Sequence, residues 1–397
     1  MHERDSSIVI VGAQRTPIGA FQGALSTFSA PELGAAAIAS AVAQAGVSAD
    51  SVDEAIMGCC LFAGLGQAPA RQAVLGAGLP PSVPATTISK MCGSGMKAAM
   101  LAHDLLRAGS CTVAVAGGME SMTNAPHLVP RGRQGYRLGH GQFLDHMYRD
   151  GLEDAYEGHL MGYYADLTAE QAGISRAAQD AFAAESVARA QAAVREGRFV
   201  AEIVELSPKS GKSRNREPLR DDETPARCDI DKIPRLSPAF RTEGTVTPGN
   251  ASSISDGAAA LVMMREADAR AKGIAPLARI TALATHALPP GQFSLAPVGA
   301  IRRVLDKAGW QAGDVDLFEI NEAFAVVTLL AMRELNLPHA RVNVNGGACA
   351  LGHPVGATGA RLLVTLVHAL RERGLRRGVA SLCLGGGEAT AMAVEVA

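Results

Sequence analysis

Short apolar runs alternate with longer helix-forming segments at both ends of the chain, and the middle breaks that rhythm. Residues 7–12 (SIVIVG) predict a buried strand, ended by Thr16-Pro17-Ile18-Gly19. Residues 31–46 predict a helix with Ser29 as N-cap and Gly46 as its stop. A strand is expected over 52–58, a helix over 69–76, and a stiff connector through Pro80, Pro81 and Pro84. A strand-like run then leads into Cys92, Gly93-Ser94-Gly95 turns the chain, and a helix runs on to Ala108-Gly109. Residues 111–118 (CTVAVAGG) form the next strand. This order predicts an α/β fold with a largely parallel sheet.

From 121 to 248 the chain is richer in charge and proline, with one amphipathic helix over 175–197 and a basic, irregular stretch at 209–220. This region reads as an insertion covering one end of the sheet. The alternation resumes at Asp256, and with it comes an internal repeat. Ala45-Gly46 precedes Val52-Asp53 as Ala308-Gly309 precedes Val315-Asp316. Each half then has a glycine-rich elbow opening a helix, CGSG at 92–95 and GGACALGHPVGATG at 346–359. Each closes on an apolar strand ending in glycines, VAVAGG at 113–118 and ASLCLGGG at 380–387. Three matches in one order predict a duplicated domain whose halves pair about a pseudo-two-fold axis, with both elbows at one cleft.

Composition narrows the function. The 397 residues are 48% hydrophobic and 19% charged, with a net charge of −2, which gives no basic surplus for nucleic acid. No apolar run is long enough to span a membrane, and the opening MHERDSS has neither a signal nor a transit character. Seven scattered cysteines read as reduced thiols of a cytoplasmic protein, and none has zinc-like spacing, so no metal is expected.

The duplicated frame would bring together Cys92, His353 and Cys383. A thiol just ahead of a helix N-terminus has its pKa lowered by the unpaired N–H groups, and a neighbouring histidine can take its proton. Asn321, after the strand-like LFEI, is placed to orient a water or donate to an oxyanion.

Four motifs in order now show that the whole chain resembles the thiolase family, and within it the acetyl-CoA acetyltransferase branch: MCGSGMKA at 91–98, INEAFA at 320–325, GGACALGHPVGATGAR at 346–361 and CLGGGEA at 383–389. RTPIGAFQG at 15–23, GGMESMTNAP at 117–126 and GTVTPGNASSISDGAA at 244–259 support it. The resemblance implies a five-layered α-β-α-β-α fold of two βαβαβαββ halves, an N-terminal domain over 1–274 carrying the insertion at about 121–248, and a C-terminal domain over 275–397. It implies that Cys92 carries the acyl group, that His353 activates it, and that Cys383 exchanges the α-proton of the second acyl group. Asn321 would hold a water that forms, with His353, an oxyanion hole for the enolate. The backbone N–H groups of Cys92 and Gly385 would form a second hole. Ser252 would contact the pantetheine arm, and Arg227 and Lys232 in the insertion are candidates for the phosphates of coenzyme A. Coenzyme A thioesters enter as substrates, no bound cofactor is implied, and the expected assembly is a homotetramer, a dimer of dimers.

Two positions depart from the branch pattern. Where His-Met-Gly is usual, this chain has Leu160-Met161-Gly162, with His159 one place early. Leu160 and Met161 therefore bear on the acyl chain accepted, which keeps a broader-chain 3-ketoacyl-CoA thiolase as the alternative. Cys349, four residues before His353, reads as packing. A decarboxylating ketoacyl-carrier-protein synthase would not require Cys383. A non-catalytic acyl-CoA carrier could dispense with Cys92 or His353, and this chain keeps both.

Overall fold

Strand β8, Ser255–Arg265, shows how the core is divided. Ala259, Leu261 and Met263 face one apolar cluster while Ala258, Ala260, Val262 and Met264 face another. Alternate residues of a strand point to opposite faces, so both faces of this sheet are buried and the strand reads as one apolar run. The structure, a computed structural model, describes residues 7–207 and 217–396.

The remaining strands are β1 Ile8–Arg15, β2 Gly19–Ala20, β3 Glu54–Gly58, β4 Ala85–Ile88, β5 Val113–Ser121, β6 His127–Leu128, β7 Leu144–Asp145, β9 Ala278–Ala287, β10 Leu317–Ile320, β11 Arg377–Leu384 and β12 Glu388–Glu395. The first half orders them β4-β3-β5-β8-β1 and the second β10-β11-β12-β9. Val342 lies parallel beside Phe318 of β10 where the first half has β4. The two halves therefore repeat one topology, as the sequence repeat predicts. They join where β1 meets β9 antiparallel, over only Val9↔Arg279 and Ile10↔Ala278.

The expectation of a largely parallel sheet is corrected. Pairs β3–β4, β3–β5 and β10–β11 are parallel, but β1–β8, β5–β8, β11–β12 and β9–β12 are antiparallel. The reason is local in the second half: Gly385-Gly386-Gly387 closes a tight hairpin, with Gly386 and Gly387 at φ 90° and 87°. That left-handed region is open to glycine at little cost.

The helices are α1 Ala30–Ala45, α2 Pro69–Gly76, α3 Ser94–Ala108, α4 Met161–Ala172, α5 Arg176–Arg195, α6 Glu223–Arg227, α7 Glu266–Ala271, α8 Ala296–Ala308, α9 Ala325–Leu335, α10 Ala348–Leu351 and α11 Val355–Glu372. α1 starts after Ser29, whose N–H donates to Glu32 at 2.9 Å, and stops at left-handed Gly46. α1 and α8 cover the outer faces of the two sheets, and α3 and α11 fill the space between them. These two central helices meet through glycines. A Cβ on Gly95 would lie 2.8 Å from Ala360 N, and one on Gly359 would lie 2.4 Å from Met96 N.

Helices α4, α5 and α6 belong to the inserted region. It is tied to β1 by Arg15, which is wholly buried and bonds Glu202 at 2.6 Å and Asp222 at 2.7 and 2.9 Å. Of the basic stretch expected at 209–220, residues 209–216 lie outside the described residues, while Arg220 pairs with Glu205 at 2.7 Å. Among the described residues no helix is long and apolar enough to cross a membrane.

Candidate active site

The elbow expected at Cys92 forms. Met91 takes a left-handed φ of 46°, Gly93 caps α3, and the Ser94 hydroxyl bonds Lys90 N and Met91 O at 2.7 Å each. A non-glycine residue in that region is strained and persists only where its surroundings hold it. On the opposite half, α10 ends at Gly352 and α11 begins after Pro354, which leaves His353 at the start of the second central helix. The Cys92 sulfur and the His353 ring therefore come from the leading ends of α3 and α11.

Cys92, His353 and Cys383 all line one mostly apolar cavity of about 470 Å³. Its walls include Leu160, Met161, Ser252 and Gly385, and the rings of Phe240, Phe293 and Phe324. Phe324 meets Phe240 and Phe293 edge-on, with ring centres 6.0 and 6.1 Å apart.

The hydrogen bonds fix which nitrogen of His353 is free. Thr358 has one hydroxyl proton and donates it to Pro354 O at 3.0 Å. Its oxygen therefore accepts the Nδ1–H of His353 at 2.6 Å. The proton sits on Nδ1, and Nε2 keeps a lone pair with no protein partner. Burial, aided by the Arg361 charge, pushes the imidazole down to about 3, so it is neutral.

The expected lowering of the Cys92 pKa is overturned. Burial pushes the thiol up to about 11, against the pull of the Gly385 and Cys92 backbone N–H groups, and the Glu120 charge adds to the rise. Desolvation outweighs the helix terminus here. At rest the pair is a thiol and an imidazole. Burial and the neighbouring Cys92 also hold the Cys383 thiol well above its ordinary range.

The other candidates fall into two groups. Ser252 lines the cavity and donates to Ala323 O at 3.0 Å. Leu160 lines the cavity, whereas exposed His159 stacks on Tyr163 with ring centres 4.0 Å apart. Asn321 is fully buried beyond β10, and neither atom of its amide finds a protein partner. A buried amide without partners fits a site completed by an incoming water or carbonyl. Arg227 and Lys232 are not brought to the cavity. Arg227 pairs with Glu223, and Lys232 pairs with Asp229 at 3.2 Å, both well exposed. Cys349 is buried against Phe182, Ala183 and Ala325, outside the cavity.

Comparison with known proteins decides the family. The profile "Thiolase, N-terminal domain" matches residues 8–267, and "Thiolase, C-terminal domain" matches 274–396. The chain belongs to the thiolase family. Among similar thiolases, an acetyl-CoA acetyltransferase of Pseudomonas aeruginosa is 49% identical over 388 residues, covering 97% of this chain and 98% of that one. Proteins of the same name from Escherichia coli and Cupriavidus necator are 48% and 46% identical, covering 98% of this chain and 98% and 99% of theirs.

Two buried polar residues that bond to parts of this site are not singled out by the sequence reading. Thr358, which sets the His353 tautomer, sits among small residues in GATGAR. Glu120, fully buried, is the one acidic residue in VAVAGGMES, and a charge inside an otherwise small and apolar strand is the signal that points to it.

Proposed function

We propose that this thiolase is an acetyl-CoA C-acetyltransferase, working through an acyl-cysteine intermediate. The convergence of Cys92, the free Nε2 of His353 and Cys383 on one mostly apolar cavity carries this reading. The near full-length identity to proteins named acetyl-CoA acetyltransferase supports it.

His353 Nε2 takes the proton of Cys92 as the sulfur attacks the thioester carbonyl of the first acetyl-CoA. The tetrahedral intermediate collapses, CoA leaves with the proton of the Cys383 thiol, and the acetyl group stays on Cys92 beside a protonated His353. The Cys383 thiolate then takes an α-proton from the second acetyl-CoA. The resulting carbon nucleophile attacks the acyl-cysteine, and the Cys92 sulfur departs, taking its proton back from His353 as acetoacetyl-CoA forms. Thiolysis is the reverse. The N–H groups of Cys92 and Gly385 suit the first oxyanion, and His353 with the Asn321 amide suits the enolate. Apolar walls strengthen each of these contacts. Coenzyme A thioesters are substrates, and the cycle calls for no bound cofactor.

A broader acyl range is the second reading, and Leu160 is the observation behind it, because an apolar residue lines the cavity where the branch carries histidine. The test is CoA-dependent cleavage of acetoacetyl-CoA against 3-ketohexanoyl-CoA and longer substrates, with Cys92→Ser as control. Activity confined to acetoacetyl-CoA supports the acetyltransferase. Equal or better rates on longer chains assign the broad thiolase. Loss of all Cys92 dependence overturns both.

We also infer a cytoplasmic homotetramer. Seven free cysteines accord with a reducing compartment, and exposed Val129, Tyr136, Leu138 and Phe143 supply an apolar surface for assembly.

A further inference from the structure

Glu120 lies at the end of β5, fully buried, and its partners are three backbone N–H groups and a thiol. Its Oε2 accepts from Cys60 N at 2.9 Å and from Gly356 N at 2.8 Å. Its Oε1 accepts from Leu61 N at 3.0 Å and faces the Cys59 thiol at 3.5 Å. Every neighbour is a donor. An ionised carboxylate has acceptor sites for all of them, while a protonated one would bury an O–H with nothing to receive it. Burial pushes the Glu120 carboxyl above its ordinary range, and the Leu61, Cys60 and Gly356 N–H groups and the Cys59 thiol pull against that rise; the surrounding donors favour the carboxylate.

These partners lie on two segments, one on each side of the site. Cys60 and Leu61 follow β3, and the Cys60 sulfur lies 3.1 Å from Met91 O and 3.3 Å from the Ser94 hydroxyl, so this loop backs the Cys92 elbow. Gly356 is in the first turn of α11, three residues after His353. Its N–H is one of those a helix leaves unpaired at its start. Glu120 fills that vacancy from the other half of the molecule, 236 residues away in the chain. The fit is close: a Cβ on Gly356 would lie 2.7 Å from Glu120 Oε2, and one on Gly118 would lie 2.0 Å from Gly356 O.

We propose that Glu120 is a positioning residue of the reaction, pinning the start of α11 to the nucleophile's half so that the His353 Nε2 meets the Cys92 sulfur. Its charge gives the role a signature. Around Cys92 and Glu120 the titratable groups are Cys59, Cys60 and Cys383, and His353 across the cavity, with Arg361 acting on His353. Burial keeps these thiols protonated and the imidazole neutral. Glu120 is then the charge that opposes a thiolate at Cys92. Removing it loosens the base while making the thiol more acidic, and these two effects push reactivity in opposite directions.

The test uses the full-length protein carrying Glu120→Gln. It rests on the reading of Cys92 as nucleophile and His353 as base. A wild type inactive on acetoacetyl-CoA sinks that reading, whereas an active wild type with an unaffected variant sinks only the role of Glu120. In thiolysis, kcat should fall about a hundredfold, the loss that a misplacement of about an ångström brings, with KM within twofold. The pH midpoint for iodoacetamide alkylation of Cys92, followed by peptide mass, should move down. A general loosening of the fold would lower activity and raise KM without moving that midpoint downward, and this would overturn the proposal, as would an unchanged kcat. Where Glu120→Gln gives no soluble protein, Glu120→Asp carries the test. It keeps the charge and withdraws the oxygens by one methylene, so kcat should fall with the midpoint unmoved. Full activity in Glu120→Asp would overturn the positioning role.

Discussion

Burial acts on Cys92 and His353 in opposite directions along the pH scale and leaves both uncharged at rest. The thiol is pushed up to about 11 and the imidazole down to about 3. Iodoacetamide alkylation of wild-type Cys92 should therefore climb with pH well past 8, with no plateau between 6 and 8. A plateau there would mean a standing thiolate–imidazolium pair. The histidine also bears on stability. Its unfolded pKa is near 6.5 and its folded value is depressed, so below 6.5 the unfolded chain binds a proton that the folded chain refuses. The contribution is full above 6.5 and is lost as the pH falls toward 3, at about 1.4 kcal/mol per unit. His353→Asn should flatten the fall in denaturant midpoint between pH 7 and pH 4, and an unchanged slope would count against it. The sequence pointed to Cys92, His353 and Cys383 because each sits in a glycine-flanked motif, and to Asn321 because it follows the strand-like LFEI. It did not reveal the charge states, because helix termini can be read from local sequence and the depth of burial cannot.

At the scale of elements, the central pair α3 and α11 sets the working distance of the site. Their contact depends on glycines, and Gly359 leaves no room for even a methyl group beside Met96 N. Gly359→Val should force the helices apart, lower the melting temperature by several degrees and abolish thiolysis, both checked on one preparation. A fully active Gly359→Val would mean the helices need not touch. Strand and helix positions were legible from period and caps: α2 and α5 appear where the pattern puts them, and Ser29, Gly46 and Ser175 mark ends. Strand direction was not legible. An apolar run reports that both faces are buried, but the neighbour's polarity is decided by connections as long as the one from β5 to β8.

Across the whole molecule, the inserted region hangs on a buried charge cluster. Arg15 serves two carboxylates at once, Glu202 and Asp222, with no solvent to screen either. Arg15→Met should cost about 3–5 kcal/mol in denaturant unfolding, since both acids would be left buried and unpaired. A loss under about 1 kcal/mol would mean that water or another cation takes its place. Assembly can be checked by light scattering. On the proposed tetrameric assembly, replacing Leu138 and Phe143, which are 97% and 74% exposed, with aspartate should give dimers. Retention of four subunits would place the interface elsewhere. These contacts join Arg15 to residues about two hundred positions away, and no local pattern announces such a meeting.

The seam between β1 and β9 is two residue pairs long, and the nucleophile and its base lie on opposite sides of it, at matching ends of matching helices. Two identical halves would have offered two thiols or two imidazoles to the same cleft. The proposed cycle thus rests on a division of labour between two halves that share a topology and differ in their reactive side chains. Cut in the connection at 272–277, each fragment would carry half of a catalytic sentence. Mixing the two should restore acetoacetyl-CoA cleavage that neither performs alone.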